Sequence, residues 1–199
     1  MRAKRLIKKG GYPMERKLRE VLDEKERILW YGRPVKGSLL RSPDGPLQCL
    51  AWLFCAASIF LALFVFLPYA LQARFHIGMI LVVLVSAICL PPMVALRPVF
   101  DQKLLEHETV YAITDRRIIA IVKDDAMIIP RTRQTRFSIN DRDEMTGCVC
   151  FDSAIGTSPY TRRTNAILGF RKPCGHTHGL IFFRVSQPDI VAQILACPA

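Results

Sequence analysis

Two stretches without a charged side chain, separated by three residues, constrain this chain more than any other feature. From Leu47 to Leu71 it reads LQCLAWLFCAASIFLALFVFLPYAL, and from Phe75 to Leu96 it reads FHIGMILVVLVSAICLPPMVAL. A helix rises about 1.5 Å per residue, so about 20 residues cross a hydrocarbon layer of about 30 Å, and each run is long enough to span it. A chain of 199 residues offers no large soluble core in which two such helices could be hidden. The expectation is a transmembrane helical hairpin at 47–96, with helices over 47–71 and 75–96. The first run starts too deep in the chain for a cleaved leader, and it leads directly into a second span.

Only Gln72, Ala73 and Arg74 join the runs, which makes the helices antiparallel and places both flanks on one side. Residues 1–46 hold 13 Lys and Arg against 6 Asp and Glu, residues 97–199 hold 14 against 11, and the link holds Arg74 alone. Lys and Arg are retained on the side that is not translocated, so both termini are expected in the cytoplasm and the link outside. The same topology accounts for much of the net charge of +11, which would otherwise invite a nucleic-acid reading; no nucleic-acid partner is expected. Seven cysteines, an odd number, on a chain with cytosolic ends predict no disulfide framework. Cys49, Cys55 and Cys89 fall inside the spans, where cysteine acts as a small hydrophobe.

The chain divides into a basic segment at 1–46, the hairpin at 47–96 and a β-rich domain at 97–199. Arg2, Lys4, Arg5, Lys8 and Lys9 form either a contact to anionic headgroups, worth about 1 kcal/mol per charge, a solvated tail, or sequence ahead of a start at Met14. From Met14 to Trp30 the spacing of Leu18, Val21, Leu22, Ile28 and Leu29 predicts an amphipathic helix, stopped at Gly32-Arg33-Pro34. Within the β domain, strands are expected at Val110–Thr114, Arg117–Val122, Arg133–Ile139, Gly147–Phe151, Ala166–Phe170 and Gly179–Val185, the pattern of a small antiparallel barrel or sandwich. SQPDIVAQILA then begins with Ser186 and Asp189 in a capping-box-like spacing, and Ile190, Val191, Ile194 and Leu195 form one stripe. A C-terminal helix should cap the open end of the barrel. The fold class is thus an α+β membrane protein: amphipathic helix, two-helix hairpin, small antiparallel β domain and capping helix.

Glu24–Pro34 (EKERILWYGRP), the two spans, and Tyr111–Ile121 (YAITDRRIIAI) together resemble the bacterial membrane proteins that carry a pleckstrin-homology-like domain. In that family an acidic helix ending in a Trp–Gly–Arg–Pro-type element precedes the spans. A Tyr-x-(Leu/Ile)-Thr-(Asn/Asp)-Arg-Arg hairpin opens the β domain, and a strand-then-helix unit, here GLIFFRVSQPDIVAQIL, closes it. The resemblance touches most of the chain, although residues 152–178 match nothing in it. It implies a seven-stranded bent antiparallel sheet with one C-terminal helix, the seventh strand lying within Asp124–Ile129 or 152–165. It also implies a bacterial inner-membrane location, and a scaffold more firmly than an activity.

Arg116 and Arg117, at the tip of the first β-hairpin, either pair with local carboxylates or grip phosphate in forked hydrogen bonds; the structural role is favoured. In PRTRQTR, a strand would put Arg131 and Arg133 on one face and Arg136 on the other. Arg162 and Arg163 read as a loop. These arginines are the candidate contacts for a protein partner, for self-association or for anionic phospholipid. Cys174, His176 and His178 alternate on an extended chain and combine sulfur with imidazole, a set that suits Zn²⁺, but the spacing is not a standard one. Cys148 and Cys150 alternate with Val149 and Phe151 as in a strand. There is no phosphate-cradling Gly loop, no paired-carboxylate arrangement, and no orienting acid beside a Cys–His pair. The reading is a non-catalytic, membrane-anchored binding module without a cofactor; a metal or redox role through Cys174, His176 and His178 is the alternative.

Overall fold

The computed structural model describes residues 13–23, 25–38, 45–143, 145–171 and 177–196. The chain forms two compact units, one made of residues 37–100 and the other of residues 1–36 together with 101–199. The second unit is therefore assembled from both sides of the apolar hairpin, and is not confined to residues after position 97.

In the apolar unit, helix α2 runs over Gly45–Gln72 and helix α3 begins at Ile77 and continues to Glu108; both are long and apolar enough to cross a membrane. Helix α2 contains one π-helical stretch at Leu61–Phe66. The two helices are clasped by Gln48 Nε2, which donates to the Ala95 carbonyl at 2.6 Å, and by Ser58 Oγ, which donates to the Ala87 carbonyl at 3.1 Å. Helix α3 outruns the expected end at Leu96, and Pro91, Pro92 and Pro98 lie inside it rather than at its terminus.

The β unit opens with helix α1 (Pro13–Val21). The expected helix to Trp30 is cut short: Ile28–Gly32 is instead strand β1. Strands β2 (Thr109–Thr114), β3 (Arg117–Val122) and β4 (Asp125–Pro130) follow α3, and with β1 they form one antiparallel sheet in the order β1-β2-β3-β4. The register sets Trp30 opposite Ile113, Tyr31 opposite Ala112 and Gly32 opposite Tyr111. Strand β4 starts inside the Asp124–Ile129 stretch and runs one residue beyond it, to Pro130. A second antiparallel sheet, in the order β5-β6-β8-β7, contains β5 (Phe137–Asn140), β6 (Thr146–Asp152), β7 (Phe170–Arg171) and β8 (Thr177–Ser186).

Two further expectations fail here. Arg131–Arg136 is a turn, and strand β5 starts only at Phe137. The strand expected at Ala166–Phe170 is reduced to its last residue, because helix α4 occupies Pro159–Leu168 and only Phe170 enters β7. Helix α4 begins after Ser158 with proline in its first turn and stops at Gly169, whose φ of 66° suits a residue without Cβ. Helix α5 (Pro188–Ala196) ends the fold.

Both sheets are covered on both faces, which explains why the strands read as nearly continuous apolar runs. Tyr111, Ile113, Ile118, Ala120, Met127, Ile129, Val149, Phe151, Leu180 and Phe182 point between the sheets, where Val191, Ile194 and Leu195 of α5 join them. The opposite face of the first sheet packs Val110, Ala112, Ile119 and Ile121 against Met14 and Leu18 of α1. The opposite face of the second packs Cys148, Cys150, Ile181 and Phe183 with Ala166 of α4 and Leu105 of α3.

The central core is aromatic. Phe182 stacks on Tyr111 at 4.5 Å and on Trp30 at 5.7 Å, and meets Phe151 edge-on at 5.0 Å. Trp30 reaches this position by folding over Gly32, where any Cβ would overlap its ring. The buried Tyr111 hydroxyl accepts the Phe183 N–H at 3.0 Å, and burial pushes its pKa up.

Because β1, Trp30 and α1 all precede the apolar helices, residues 101–199 by themselves lack an edge of the first sheet and part of the aromatic core. A chain joining residues 13–36 to residues 101–199 through a flexible linker is expected to give a cooperative thermal transition and dispersed amide resonances. Residues 101–199 alone should give neither.

Candidate functional site

The segment EKERILWYGRP and the hairpin YAITDRRIIAI meet each other. Glu26, two residues before β1, is buried against the turn between β2 and β3, and its carboxylate is held by Arg117. Arg117 donates from Nε to Glu26 Oε1 at 2.9 Å and from Nη2 to Glu26 Oε2, and Nη2 also reaches Asp23 Oδ2 and the Val21 carbonyl, each at 3.3 Å. The Thr114 hydroxyl donates to Glu26 Oε1 at 2.7 Å and accepts the N–H groups of Arg116 and Arg117 at 3.2 and 2.7 Å. Asp115 exchanges two bonds with the Arg27 backbone, its N–H donating to the Arg27 carbonyl and its Oδ1 accepting the Arg27 N–H, each at 3.0 Å.

Every polar residue of Thr114-Asp115-Arg116-Arg117 except Arg116 thus spends its side chain on fastening the segment before the apolar helices to the hairpin after them. A bidentate Arg–carboxylate pair of this kind is directional as well as strong. The hydrogen bonds from Arg117 hold the Glu26 carboxyl down at about 2, against burial, which pushes the other way.

Arg131 is also occupied, donating from Nη2 to the Ile194 carbonyl at 2.7 Å in the last turn of α5. Its own N–H donates to the Arg116 carbonyl at 2.8 Å, which fixes the start of the β4–β5 loop beside the hairpin turn. Arg133 and Arg136 lie further along this loop and are exposed, as is Arg116 at the hairpin turn. Their side chains make no hydrogen bond or ion pair among the described residues.

Arg162 and Arg163 are not loop residues. They sit on α4 with only 4% and 3% exposure. Arg162 pairs with Asp141 and donates to the Thr157 carbonyl at 2.8 Å, while the Arg163 guanidinium lies 5.9 Å from the centre of the Phe183 ring. Both are buried under the helix and cannot serve as a solvated contact face. Beneath them, burial pushes the Cys148 thiol up to about 12 and the Cys150 thiol upward as well, so both remain protonated at neutral pH. Cys174 and His176 lie outside the described residues. His178 is the second residue of β8, with its Nε2 buried and without a hydrogen-bond partner among the described residues.

The six arginines singled out from sequence therefore separate into three environments: Arg117 and Arg131 are tied to carboxylate and carbonyl, Arg162 and Arg163 are buried, and Arg116 and Arg133 are free. Arg136 joins the free pair. It is the last loop residue before β5, beside Asp152, whose Oδ1 accepts the Arg136 N–H at 3.0 Å; expecting the strand from Arg133 hides that position. Compared with protein-family models, curated proteins and solved structures, the chain gives no match.

The Glu26 pair carries a pH signature. Its folded pKa is depressed, so the unfolded chain takes up the proton first as pH falls, and the stabilisation is complete above the ordinary value of 4.5 and lost progressively toward 2. A shift of this size corresponds to about 3 kcal/mol. The stability difference between the native chain and Glu26→Gln, measured by urea unfolding, should shrink by about that amount between pH 6 and pH 2.

Proposed function

We propose that the chain is a membrane-anchored, non-catalytic binding module whose exposed Arg116, Arg133 and Arg136 recognise a protein partner. The observation that carries this reading is the contrast among the arginines. Where the fold uses an arginine, the side chain is paired or buried; these three are exposed and unpaired among the described residues, and the Arg131 N–H bond to the Arg116 carbonyl ties the start of the Arg133 loop to the hairpin turn.

The apolar lengths of α2 and α3 support anchoring in a membrane, and the Lys and Arg distribution supports a cytoplasmic β unit at the bacterial inner membrane. The pairing of β1 with β2 adds an independent requirement: residues 28–32 and 109–114 must share one side of any bilayer the two helices cross. The resemblance of EKERILWYGRP and YAITDRRIIAI to bacterial pleckstrin-homology-like proteins is consistent with a binding role.

A protein partner is favoured over lipid headgroups because a chain held by two spans gains little from further headgroup affinity.

A photo-reactive amino acid in place of Gln134, which is exposed between Arg133 and Arg136, tests this in native membranes. The expected result is a protein adduct of defined mass. Arg133→Glu with Arg136→Glu should weaken it at least about tenfold, the scale of two lost charge contacts, at unchanged melting temperature. Adducts to lipid alone, or a protein adduct indifferent to the charge reversal, would contradict the reading.

A further inference from the structure

Among the described residues the module has four edge strands, and three of them are closed. Strand β1 is packed by α5, and its continuation bridges Pro34 to Val185 while the Val35 N–H donates to the Arg184 carbonyl at 2.7 Å. Strand β4 lies against β8, and Asp125 at its start pairs with Arg171. Strand β7 has only two residues. Strand β5 differs. It is laddered to β6, with Phe137 opposite Phe151 and Asn140 opposite Cys148, and to no other strand.

One row of backbone N–H and C=O groups along Phe137–Asn140 is therefore directed away from β6, and a strand edge of this kind is a template for another extended chain. All four of its residues are half-buried rather than covered. Phe137-Ser138-Ile139-Asn140 holds no proline and no charged side chain, and its register with β6 is continuous, without a bulge. Arg136 immediately precedes this edge in the chain and Arg133 lies three residues before Arg136, both exposed and without a side-chain partner among the described residues.

Resting on the partner-binding reading above, we propose that the partner is recognised as an extended acidic segment that adds as a strand to β5, with Arg133 and Arg136 receiving its carboxylates. Main-chain hydrogen bonds supply the attachment and the arginines supply charge selection, the division of labour expected of strand addition. Charge complementarity decides the occupant. A second copy of this chain carries a net charge of +11 and would bring the same arginines to the contact, whereas an acidic strand is attracted along its length.

The test uses the full chain in nanodiscs of zwitterionic lipid and a fluorescent octapeptide of alternating Glu and Val, read by anisotropy. Binding should saturate. It should fall at least about tenfold when alternate peptide nitrogens are methylated, which removes ladder donors without changing charge, and by a similar factor with Arg133→Glu and Arg136→Glu. An octapeptide of alternating Lys and Val should not bind.

Absence of binding by the acidic peptide overturns the proposal, as does binding indifferent to methylation or to the charge reversal. Concentration-dependent dimerisation that blocks the acidic peptide would assign the edge to a second copy, and would overturn it too. A failure here that leaves the charge-dependent adduct at position 134 intact would reject strand addition while sparing the partner reading.

Discussion

The pairing of β1 with β2 is the interaction on which the rest of this structure depends. Two segments separated by the entire apolar hairpin form adjacent strands of one sheet, and the buried Glu26–Arg117 pair fastens their ends. Breaking one partner of such a pair would leave a buried charge without compensation, which costs far more than an exposed ion pair contributes. From this contact follow the placement of Trp30 in the aromatic core, the coverage of the first sheet by α1, and the requirement that both flanks of the hairpin share a compartment.

The motifs that looked separate in sequence are two halves of one device. Trp30 folds over Gly32 to reach Phe182, Pro34 carries the chain to Val185, and Glu26 meets the Thr114–Arg117 turn. The arginines at the hairpin tip divide accordingly: Arg117 is part of the fastening and Arg116 is left for solvent or a partner. In the same way the β4–β5 loop commits Arg131 to the end of α5 and leaves Arg133 and Arg136 exposed. The proposed function rests on this sorting.

Much of this architecture was legible because its signals are local. The uncharged runs, the Thr-Asp-Arg-Arg turn between two apolar strands, and the Ser-Gln-Pro-Asp start of α5 each declare an element within a dozen residues. Strand β1 was misread because Ile28, Leu29 and Trp30 also fit a helical spacing, and the strand that overrides that pattern lies some eighty positions later; a pairing of such range has no local signature. Helix α4 did carry a signal, proline after Ser158 and glycine at 169, but two consecutive arginines disguised its buried face. Their burial is made possible by Asp141 and Phe183, contributed by other elements. For the proposed binding site, charge singled out the arginines, but only the tertiary contacts separate those without a side-chain partner among the described residues from those the fold employs.

The most direct measurement of the central claim is a cross-strand disulfide in the full-length chain, in a cysteine-free background carrying a protease site between Ala73 and Arg74. Tyr31 and Ala112 are directly paired and share the face covered by α1. With Tyr31→Cys and Ala112→Cys, mild oxidation in membranes should keep the two cleaved halves joined until reductant is added, whereas Tyr31→Cys with Ile113→Cys, one residue out of register, should not. Halves that separate in both cases would show that β1 does not pair with β2 across the hairpin, and would contradict the account.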